Sequence, residues 1–410
     1  MKIAVWHNLP NGGGARALQY HIQGLVNEGH ELEVWAANPT ANGFIEIPEG
    51  VKLHTVPLVR HNKLSFSDKI SSIFLKNDRN LKEMEKHCRQ CAEEINAGKF
   101  DLLFANSCYY YASPMIGRYV TNIKKVVYLG EPFRPYYEAQ PRHVWFPPES
   151  VEGNWLRRSY WIPFFEDLWR VRNARIQMRE ERRNAKAFDK ILVNSIFSQE
   201  TVERAYNLGS EVCYLGINSK IFKVRPKLQK QNYVVGLGNF YQNKNPKLAI
   251  HAIGMMEAPR PDLYWVANMV NDTYFQEANQ LAKSLGVNLV LKELVSDSEL
   301  VDILNQALCL IYTSRLEPFG FAPLEANACG LPVVALNQGG LRETIINGKN
   351  GFLCSKSKVE LAEKIKILVQ NPELRQEMSQ WGLKNVENNW SIEACWRRIN
   401  SAFRCLMLDA

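Results

Sequence analysis

The sequence lacks long apolar runs. A helix that crosses a bilayer takes roughly 20 consecutive apolar residues, and no stretch of the 410 residues approaches that length. Met1 to Trp6 is too short for the apolar part of a signal peptide, because the polar His7 and Asn8 follow at once. The sequence therefore predicts a cytoplasmic protein whose first segment is a buried strand.

Metal-binding patterns are also scarce. Cys88-x-x-Cys91 follows His87, but no second pair stands at the spacing of a zinc site, so no metal is expected. The 9 cysteines are scattered, and several, such as Cys309 and Cys329, lie within apolar runs. This distribution favours reduced thiols in a cytosolic protein.

The composition itself is that of a globular protein with mild positive charge. Apolar residues make up 46% and charged residues 22%, both ordinary values. Since a domain typically holds about 100–200 residues, the length predicts two domains. The net charge of +8 favours anionic partners such as phosphorylated ligands, acidic lipid surfaces or nucleic acid.

Strands and helices alternate through both halves, which predicts an α/β fold with parallel sheets. The first strand, Ile3 to Trp6, precedes a glycine loop at Gly12, Gly13 and Gly14. The loop matches a loose dinucleotide fingerprint, but the second strand ends at Asn38 without the acid that would hold a ribose. We interpret the loop as a turn facing a phosphate or substrate, with a plain tight turn as the alternative.

Polar residues follow a later strand of the same half. Glu131 and Arg134 come directly after the strand Lys125 to Leu129. Polar groups at the carboxyl ends of parallel strands face the ligand crevice in such folds, which makes both residues site candidates. A surface ion pair between them is the alternative.

Residues 140 to 186 form an aromatic and basic segment. Residues 157 to 186 carry nine Arg or Lys against four Asp or Glu, so 9 − 4 gives +5. Its aromatic residues are Trp145, Phe146, Trp155, Tyr160, Trp161, Phe164, Phe165 and Trp169. The segment suits an anionic membrane surface, or it is a helical insertion whose aromatic residues pack internally.

The stretch from Ser314 to Val334 has the most specific pattern. It follows an apolar run and predicts a strand, a turn at Glu317 to Gly320, a short helix and a second strand. Pro323 suits the first helical turn and Gly330 a helix end. Backbone N–H groups at the helix start favour an anion, and carboxylates such as Glu317 and Glu325 accept hydroxyl donors. The stretch therefore suits a ligand with both phosphate and polyol, such as a sugar nucleotide.

These residues resemble the retaining nucleotide-sugar glycosyltransferases of family 4, which have the GT-B fold of two facing Rossmann-like domains with a cleft between them. The strongest match is the E-x7-E motif, Glu317-Pro-Phe-Gly-Phe-Ala-Pro-Leu-Glu325. The other matching segments are Gly12 to Gly14, Ile191 to Ser195, Gly216 to Asn218 with Phe222, Gln338 to Glu343, and Asn347 to Leu353.

The resemblance implies roles for individual residues. Glu317 would contact hydroxyls of the donor sugar, Glu325 would hold the ribose, and Lys244 would neutralise the departing diphosphate. Lys244, Glu317, Glu131 and Arg134 are the catalytic candidates. The predicted donor-binding residues are Gly13, Gly14, Asn239, Lys244, Glu317, Phe319, Gly320, Phe321 and Glu325.

Two positions depart from the family pattern. Asn239 stands where an Arg is usual, so Arg342 or another cation would replace that charge. Gly130 stands where a His is frequent, and Glu131, Arg134 or His7 are the candidates to replace it. These departures bear on rate and donor choice more than on fold.

The resulting prediction is a retaining transferase that moves a hexose from a nucleoside diphosphate sugar to an acceptor hydroxyl. The acceptor would be a saccharide, a lipid-linked molecule or a small molecule, with no cofactor and no nucleic acid partner. The predicted domains are residues 1–222 for the acceptor and 223–385 for the donor, with a helix at 386–410 packing on the first. The alternatives are a non-catalytic sugar- or lipid-binding protein and a sugar-nucleotide epimerase.

Overall fold

A computed structural model describes residues 1–10, 12–37, 45–58, 68–138 and 158–408. They pack as two compact units. The first draws on Met1–Asn194, Gln199–Cys213 and Trp396–Ala410, and the second on Ser195–Ser198 and Tyr214–Cys395. Residues 214–222, assigned to the first domain by the sequence prediction, thus cluster with the second unit.

The elements up to Cys213 form one parallel sheet with its helices. Its strands are β1 (Lys2–Asn8), β2 (Glu31–Ala37), β3 (Lys52–Val56), β4 (Leu102–Cys108), β5 (Lys124–Tyr128), β6 (Lys190–Val193) and β7 (Glu211–Val212). The helices are α1 (Gly13–Asn27), α2 (Asp68–Ala97), α3 (Arg134–Tyr137), α4 (Arg158–Ala185) and α5 (Ile196–Tyr206), with a 3-10 turn at Met115–Arg118.

The elements after Tyr214 form a second parallel sheet. Its strands are β8 (Tyr233–Leu237), β9 (Asp262–Ala267), β10 (Leu289–Glu293), β11 (Leu310–Tyr312), β12 (Val333–Leu336) and β13 (Gly351–Cys354). The helices are α6 (Pro246–Gly254), α7 (Asp272–Ser284), α8 (Asp297–Gln306), α9 (Phe321–Ala328), α10 (Leu341–Thr344), α11 (Lys358–Gln370), α12 (Pro372–Asn389) and α13 (Ile392–Leu408).

Both sheets are doubly wound. The strand orders are β3-β2-β1-β4-β5-β6-β7 and β10-β9-β8-β11-β12-β13, and the strand pairs in both are parallel. The chain therefore reverses its winding between β1 and β4 in the first unit, and between β8 and β11 in the second. In open α/β sheets, ligands bind at such switch points, outside the carboxyl ends of the strands.

The central strands have apolar middle residues because helices cover both faces of a parallel sheet. Ile3, Val5 and Trp6 of β1 are fully buried, as are Val234 and Val235 of β8. This confirms the α/β class and the parallel sheets predicted from the strand–helix alternation. The edge strands β3 and β13 were not predicted: β3 is short and mostly exposed, and β13 follows a glycine turn.

The helix α13 returns the chain to the first unit. Trp396 lies over Gly24 of α1, where a side-chain carbon would stand 2.1 Å from the indole, and Trp396 Nε1 donates to the Tyr20 carbonyl at 2.9 Å. Further along the helix, the Phe403 ring packs 5.1 Å from Phe104 of β4. Gly24 thus provides the notch that seats α13. Within the described part of the chain, no helix has the length and apolar character needed to cross a membrane.

Candidate active site

The turn after β8 brings Lys244 to the switch point of the second sheet. Gly238 has a left-handed φ of 133°, and the Lys244 side chain passes 3.4 Å from where its Cβ would stand. A larger residue at 238 would be strained by this backbone conformation. The glycine therefore allows the turn that carries Lys244.

The end of β11 holds that turn in place. The Thr313 hydroxyl lies 2.9 Å from both the Lys244 and the Asn245 carbonyl oxygens and shares its one proton between them. The Arg315 N–H donates to the Asn243 carbonyl at 2.9 Å. These contacts thus fix the backbone on either side of Lys244, so its ammonium reaches the site from a defined position.

The turn at Glu317 is fixed from the other side by two glycines. The Gly340 N–H donates to the Glu317 carbonyl at 2.8 Å. A Cβ at Gly339 would stand 2.3 Å from the Glu317 carbonyl oxygen, and one at Gly340 2.1 Å from that of Pro318. Only glycine allows these backbones to approach so closely. Arg342 lies at the same turn, with its Nε 3.2 Å from the Gly339 carbonyl.

Lys244 and Glu317 form an ion pair in which Nζ lies 2.6 Å from Oε2. The Ser314 hydroxyl donates to the same oxygen at 2.6 Å, and the Tyr312 hydroxyl lies 3.4 Å from Nζ. The side chains are only 21% and 16% exposed. Tyr312 and Ser314 were not predicted as site residues, because a strand-end tyrosine and a turn serine carry no signal of their own.

Burial and charge act in opposite directions on this pair. Burial alone would lower the pKa of Lys244, but the Glu317 carboxylate raises it above its usual value. Burial would likewise raise the pKa of Glu317, but Lys244 and the neighbouring hydroxyls hold it below the usual range. Both groups are therefore charged at neutral pH.

The helix α9 follows directly and carries Glu325. Gly320 begins it in a left-handed conformation (φ 96°), without a side-chain cap, and Gly330 ends it with φ 69°. The start and the end of this helix lie where the sequence predicts them. Glu325 is 5% exposed and Phe319 3%, and the Phe319 ring packs 5.4 Å from that of Phe321. Asn239 is half-buried in the turn after β8.

The remaining candidates lie in the first unit. Gly13 and Gly14 open α1 after Gly12, while Asn11 of the same loop lies outside the described residues. Arg134 Nε lies 3.2 Å from Glu131 and 2.8 Å from Glu138, so these three side chains form an ion-pair cluster. The structure therefore pairs Glu131 with Arg134, but the Arg134 side chain is only 13% exposed, so the pair is not the surface ion pair of the alternative interpretation.

His7 and the Cys88–Cys91 pair have buried surroundings. Burial lowers the pKa of His7 to about 4, so its ring is neutral at pH 7. Cys91 lies 3.6 Å from His87 Nε2, and burial raises the pKa of its thiol to about 12. Across the described ranges, no group of three or more His, Cys, Asp or Glu side chains is arranged to hold a metal ion.

The first half of α4 carries an exposed apolar patch formed by Trp161, Phe164, Phe165 and Leu168, which are 40% to 56% exposed. The three rings lie 5.6 to 6.0 Å apart and contact one another. The exposed residues Arg170, Arg172 and Arg175 follow along the same helix. Trp145, Phe146, Trp155 and Arg157 of the predicted segment lie outside the described residues.

Comparison with known proteins gives a family match in the second unit. Residues 218–384 match the model described as "Glycosyl transferases group 1". The human "Alpha-1,3/1,6-mannosyltransferase ALG2" is 29% identical over 253 residues, covering 55% of this chain and 61% of that protein. "Capsular polysaccharide biosynthesis glycosyltransferase CapM" of Staphylococcus aureus is 26% identical over 197 residues, covering 47% and 51%. The chain thus spans about half to six-tenths of the length of the curated relatives it matches.

Solved structures share the fold over the whole chain. Sucrose-phosphate synthase from Thermosynechococcus elongatus has a TM-score of 0.74 at 16% identity and covers 100% of both chains. Anabaena Alr3699/HepE, solved in complex with UDP and glucose, has a TM-score of 0.71 at 17% identity and covers 99% of this chain and 100% of its own. The fold is that of the GT-B glycosyltransferases.

The family match over residues 218–384 and the curated relatives support a family 4-like glycosyltransferase. The fold class that the sequence predicts is confirmed.

Proposed function

We propose that the chain is a retaining glycosyltransferase that moves a hexose from a nucleoside diphosphate sugar to an acceptor hydroxyl. The observation that carries the proposal is the Lys244–Glu317 pair, held at 2.6 Å where the second sheet reverses its winding. A cation and an acceptor-only carboxylate at that point suit a ligand with a diphosphate and a polyol.

In this proposal the two charges act on different parts of the donor. The ammonium of Lys244 stabilises the negative charge that grows on the leaving diphosphate, and such positioned charges account for a large share of enzymatic rate enhancement. The carboxylate of Glu317 accepts hydrogen bonds from sugar hydroxyls, and Glu325 binds the ribose. The acceptor attacks on the face from which the leaving group departs, so the anomeric configuration is retained without a protein nucleophile.

The acceptor is proposed to be a saccharide, a lipid-linked molecule or a small molecule. In the first unit, Gly13 and Gly14 are proposed to bind the donor, and Glu131 and Arg134 are proposed catalytic residues. Because Arg134 is paired with two carboxylates, we assign it to positioning Glu131 and Glu138 rather than to direct contact with phosphate.

A panel of sugar nucleotides tests this function. The purified protein is incubated with each donor, with and without saccharide and lipid-linked acceptors, and products are identified by mass spectrometry. Transfer with retained configuration is expected only when donor and acceptor are both present. Conversion of the donor alone would favour an epimerase, and donor binding without nucleotide release would favour a non-catalytic binding protein.

An anionic membrane is the proposed partner of the α4 patch, at the cytoplasmic face. The exposed aromatic side chains offer apolar anchors, and the exposed arginines that follow along the same helix offer positive charge, to an acidic lipid surface. Each arginine near an acidic surface contributes about 1 kcal/mol of attraction. This placement would bring a lipid-linked acceptor close to the protein.

Vesicle sedimentation tests the membrane partner. Vesicles with acidic lipids should bind the protein at low salt, and replacing Trp161 and Phe165 with Ala should weaken binding severalfold. The Trp381→Ala variant is the control, because Trp381 is also 41% exposed but lies on α12. Equal binding by both variants, or no binding by the unmodified protein, would remove the membrane from the proposal.

A further inference from the structure

The first sheet has an irregular step where its winding reverses. The regular pairing of β1 with β4 breaks between Trp6 and Asn8, so that His7 of β1 faces two residues of β4. Such a bulge changes the direction of nearby side chains, and bulges are frequent beside active sites. Since open α/β sheets bind ligands outside the carboxyl ends of the strands at a switch point, the bulge lies where a ligand is expected.

Two polar side chains at this bulge carry buried nitrogens that need a partner. Asn106, one of the two β4 residues, is 3% exposed, and its Nδ2 has no hydrogen-bond partner among the described residues. His7 is partly exposed, and its buried Nδ1 also lacks a partner within the described part of the chain. Buried polar atoms are normally hydrogen-bonded. An amide donor beside an imidazole matches hydroxyl groups, which donate and accept.

Water could supply such hydroxyl groups too, but an exposed aromatic ring stands beside the bulge. Tyr109 follows directly on β4 and is 56% exposed. Its N–H donates to the Asn8 carbonyl at 3.1 Å, which keeps it next to the end of β1. The face of an aromatic ring carries partial negative charge, which attracts the weakly positive C–H groups on the face of a sugar ring.

The segment that carries Tyr109 is held in place by α4. The Gln177 side-chain amide donates to the Tyr110 carbonyl, and that of Asn184 donates to the Ser113 carbonyl at 2.9 Å. The Tyr110 ring packs against the Tyr109 ring with 5.6 Å between centroids. A surface that is ordered before its ligand arrives loses less conformational entropy on binding. The exposed ring is therefore preorganised for a ligand.

We propose that the ends of β1 and β4 form a saccharide site for the acceptor, in which the Tyr109 ring stacks on a sugar face and His7 hydrogen-bonds a sugar hydroxyl. Asn106 is more deeply buried and acts through an ordered water. One aromatic surface with a few polar groups is the usual composition of a small-molecule site. The sugar is an acceptor only if the proposed function holds, but its binding requires neither donor nor transfer.

Binding of free sugars tests the stacking contact. Saturation-transfer NMR is recorded with the methyl glycosides of glucose, galactose, mannose and N-acetylglucosamine over a concentration series. At least one should bind, and Tyr109→Ala should weaken it about fivefold to tenfold, the loss of one aromatic contact. Tyr109→Phe keeps the ring and should bind like the unmodified protein. Trp381→Ala removes an exposed aromatic side chain from α12 and should have no effect.

Monodeoxy analogues of the bound glycoside test the hydrogen bond of His7. In the unmodified protein, the analogue that lacks the bonded hydroxyl should bind several times more weakly than the parent glycoside. In His7→Ala this difference should disappear, because the two changes remove the same contact. Thermal unfolding shows whether the variant is folded, and Tyr109→Ala, at an exposed position, decides the site if it is not.

Three results would overturn the proposal. They are no binding of any glycoside, equal losses in Tyr109→Ala and Trp381→Ala, and an unchanged preference among the analogues in folded His7→Ala, as expected if only water occupies the bulge. If sugars bind at Tyr109 but no sugar nucleotide supports transfer, the proposed function fails while the saccharide site remains.

Discussion

At the scale of single residues, Lys244 and Glu317 depend on one another for stability and act separately in the proposed chemistry. Replacing Lys244 with Met should lower turnover on the order of 10²-fold or more. It should also cost up to about 3 kcal/mol of unfolding free energy, because the largely buried Glu317 loses its partner. Steady-state rates and chemical denaturation measure the two effects.

The double replacement Lys244→Met with Glu317→Gln is the control for that prediction. It removes both charges, so it should be more stable than Lys244→Met, while turnover stays low. A double variant that regains turnover would contradict the role of these side chains in catalysis.

The buried ring of His21 should make the free energy of unfolding depend on pH. The ring is fully buried against Tyr128 (4.7 Å between centroids) and Phe104, and neither ring nitrogen has a hydrogen-bond partner among the described residues. Burial lowers its pKa to about 3. Since the unfolded value is about 6.5, the unfolded chain binds a proton that the folded chain does not. The stability contributed by neutral His21 is thus complete above pH 6.5 and is lost as pH falls toward 3.

The slope of this loss is about 1.4 kcal/mol per pH unit for one histidine. Unfolding free energies measured between pH 7 and pH 5 should fall less steeply in His21→Phe than in the unmodified protein. The comparison isolates His21 from His7, whose lowered pKa acts in the same direction in both proteins. Parallel curves would contradict the assignment.

The sequence predicted some of these residues and missed others for a physical reason. Lys244, Glu317 and Glu325 were predicted because they match the motif of a known family, whereas a single charged side chain in a turn or near a helix start carries little signal of its own. Tyr312 ends an apolar strand, where an aromatic residue is expected for packing alone. The contact of its hydroxyl with Lys244 depends on where the turn after β8 lies in the folded chain, which the local sequence does not show.

At the scale of elements, the approach of the Gly339–Gly340 turn to the Glu317 turn sets the position of the carboxylate. Gly340→Ala would place a carbon 2.1 Å from the Pro318 carbonyl oxygen. We expect a loss of about 1–3 kcal/mol from overpacking, together with reduced turnover because Glu317 moves. Thermal unfolding and initial rates measure both.

Gly209→Ala is the matched control for this element. Gly209 has open space around it and no left-handed φ, so alanine should be neutral or slightly stabilising there. Similar losses in both variants would show that the close approach is not what Gly340 provides.

The elements themselves were predictable to different degrees. Central strands such as β1 and β8 were readable because burial on both faces demands unbroken apolar runs. The edge strand β3 has a single well-buried residue, Val56, so its composition resembles that of a loop. Its place in the sheet is set by its pairing with β2, and its own residues give no strand pattern.

At the scale of the whole molecule, α13 ties a distant part of the chain into the first unit. Trp396→Ala should cost about 3–5 kcal/mol, the usual loss for a large aromatic residue removed from a packed position. Trp381→Ala should cost little by comparison, because Trp381 is exposed on α12. Thermal unfolding of both variants makes the comparison, and equal losses would contradict the seating of Trp396 on Gly24.

The Trp396–Tyr20 hydrogen bond joins residues 376 positions apart, and this separation has a consequence during synthesis. At about 5–20 residues per second, a ribosome needs roughly 20–75 s to translate that interval. Throughout this time the notch at Gly24, which Trp396 covers in the folded protein, is open to the cellular environment. Chaperones that recognise newly exposed apolar surface therefore have a defined window in which to act on this protein.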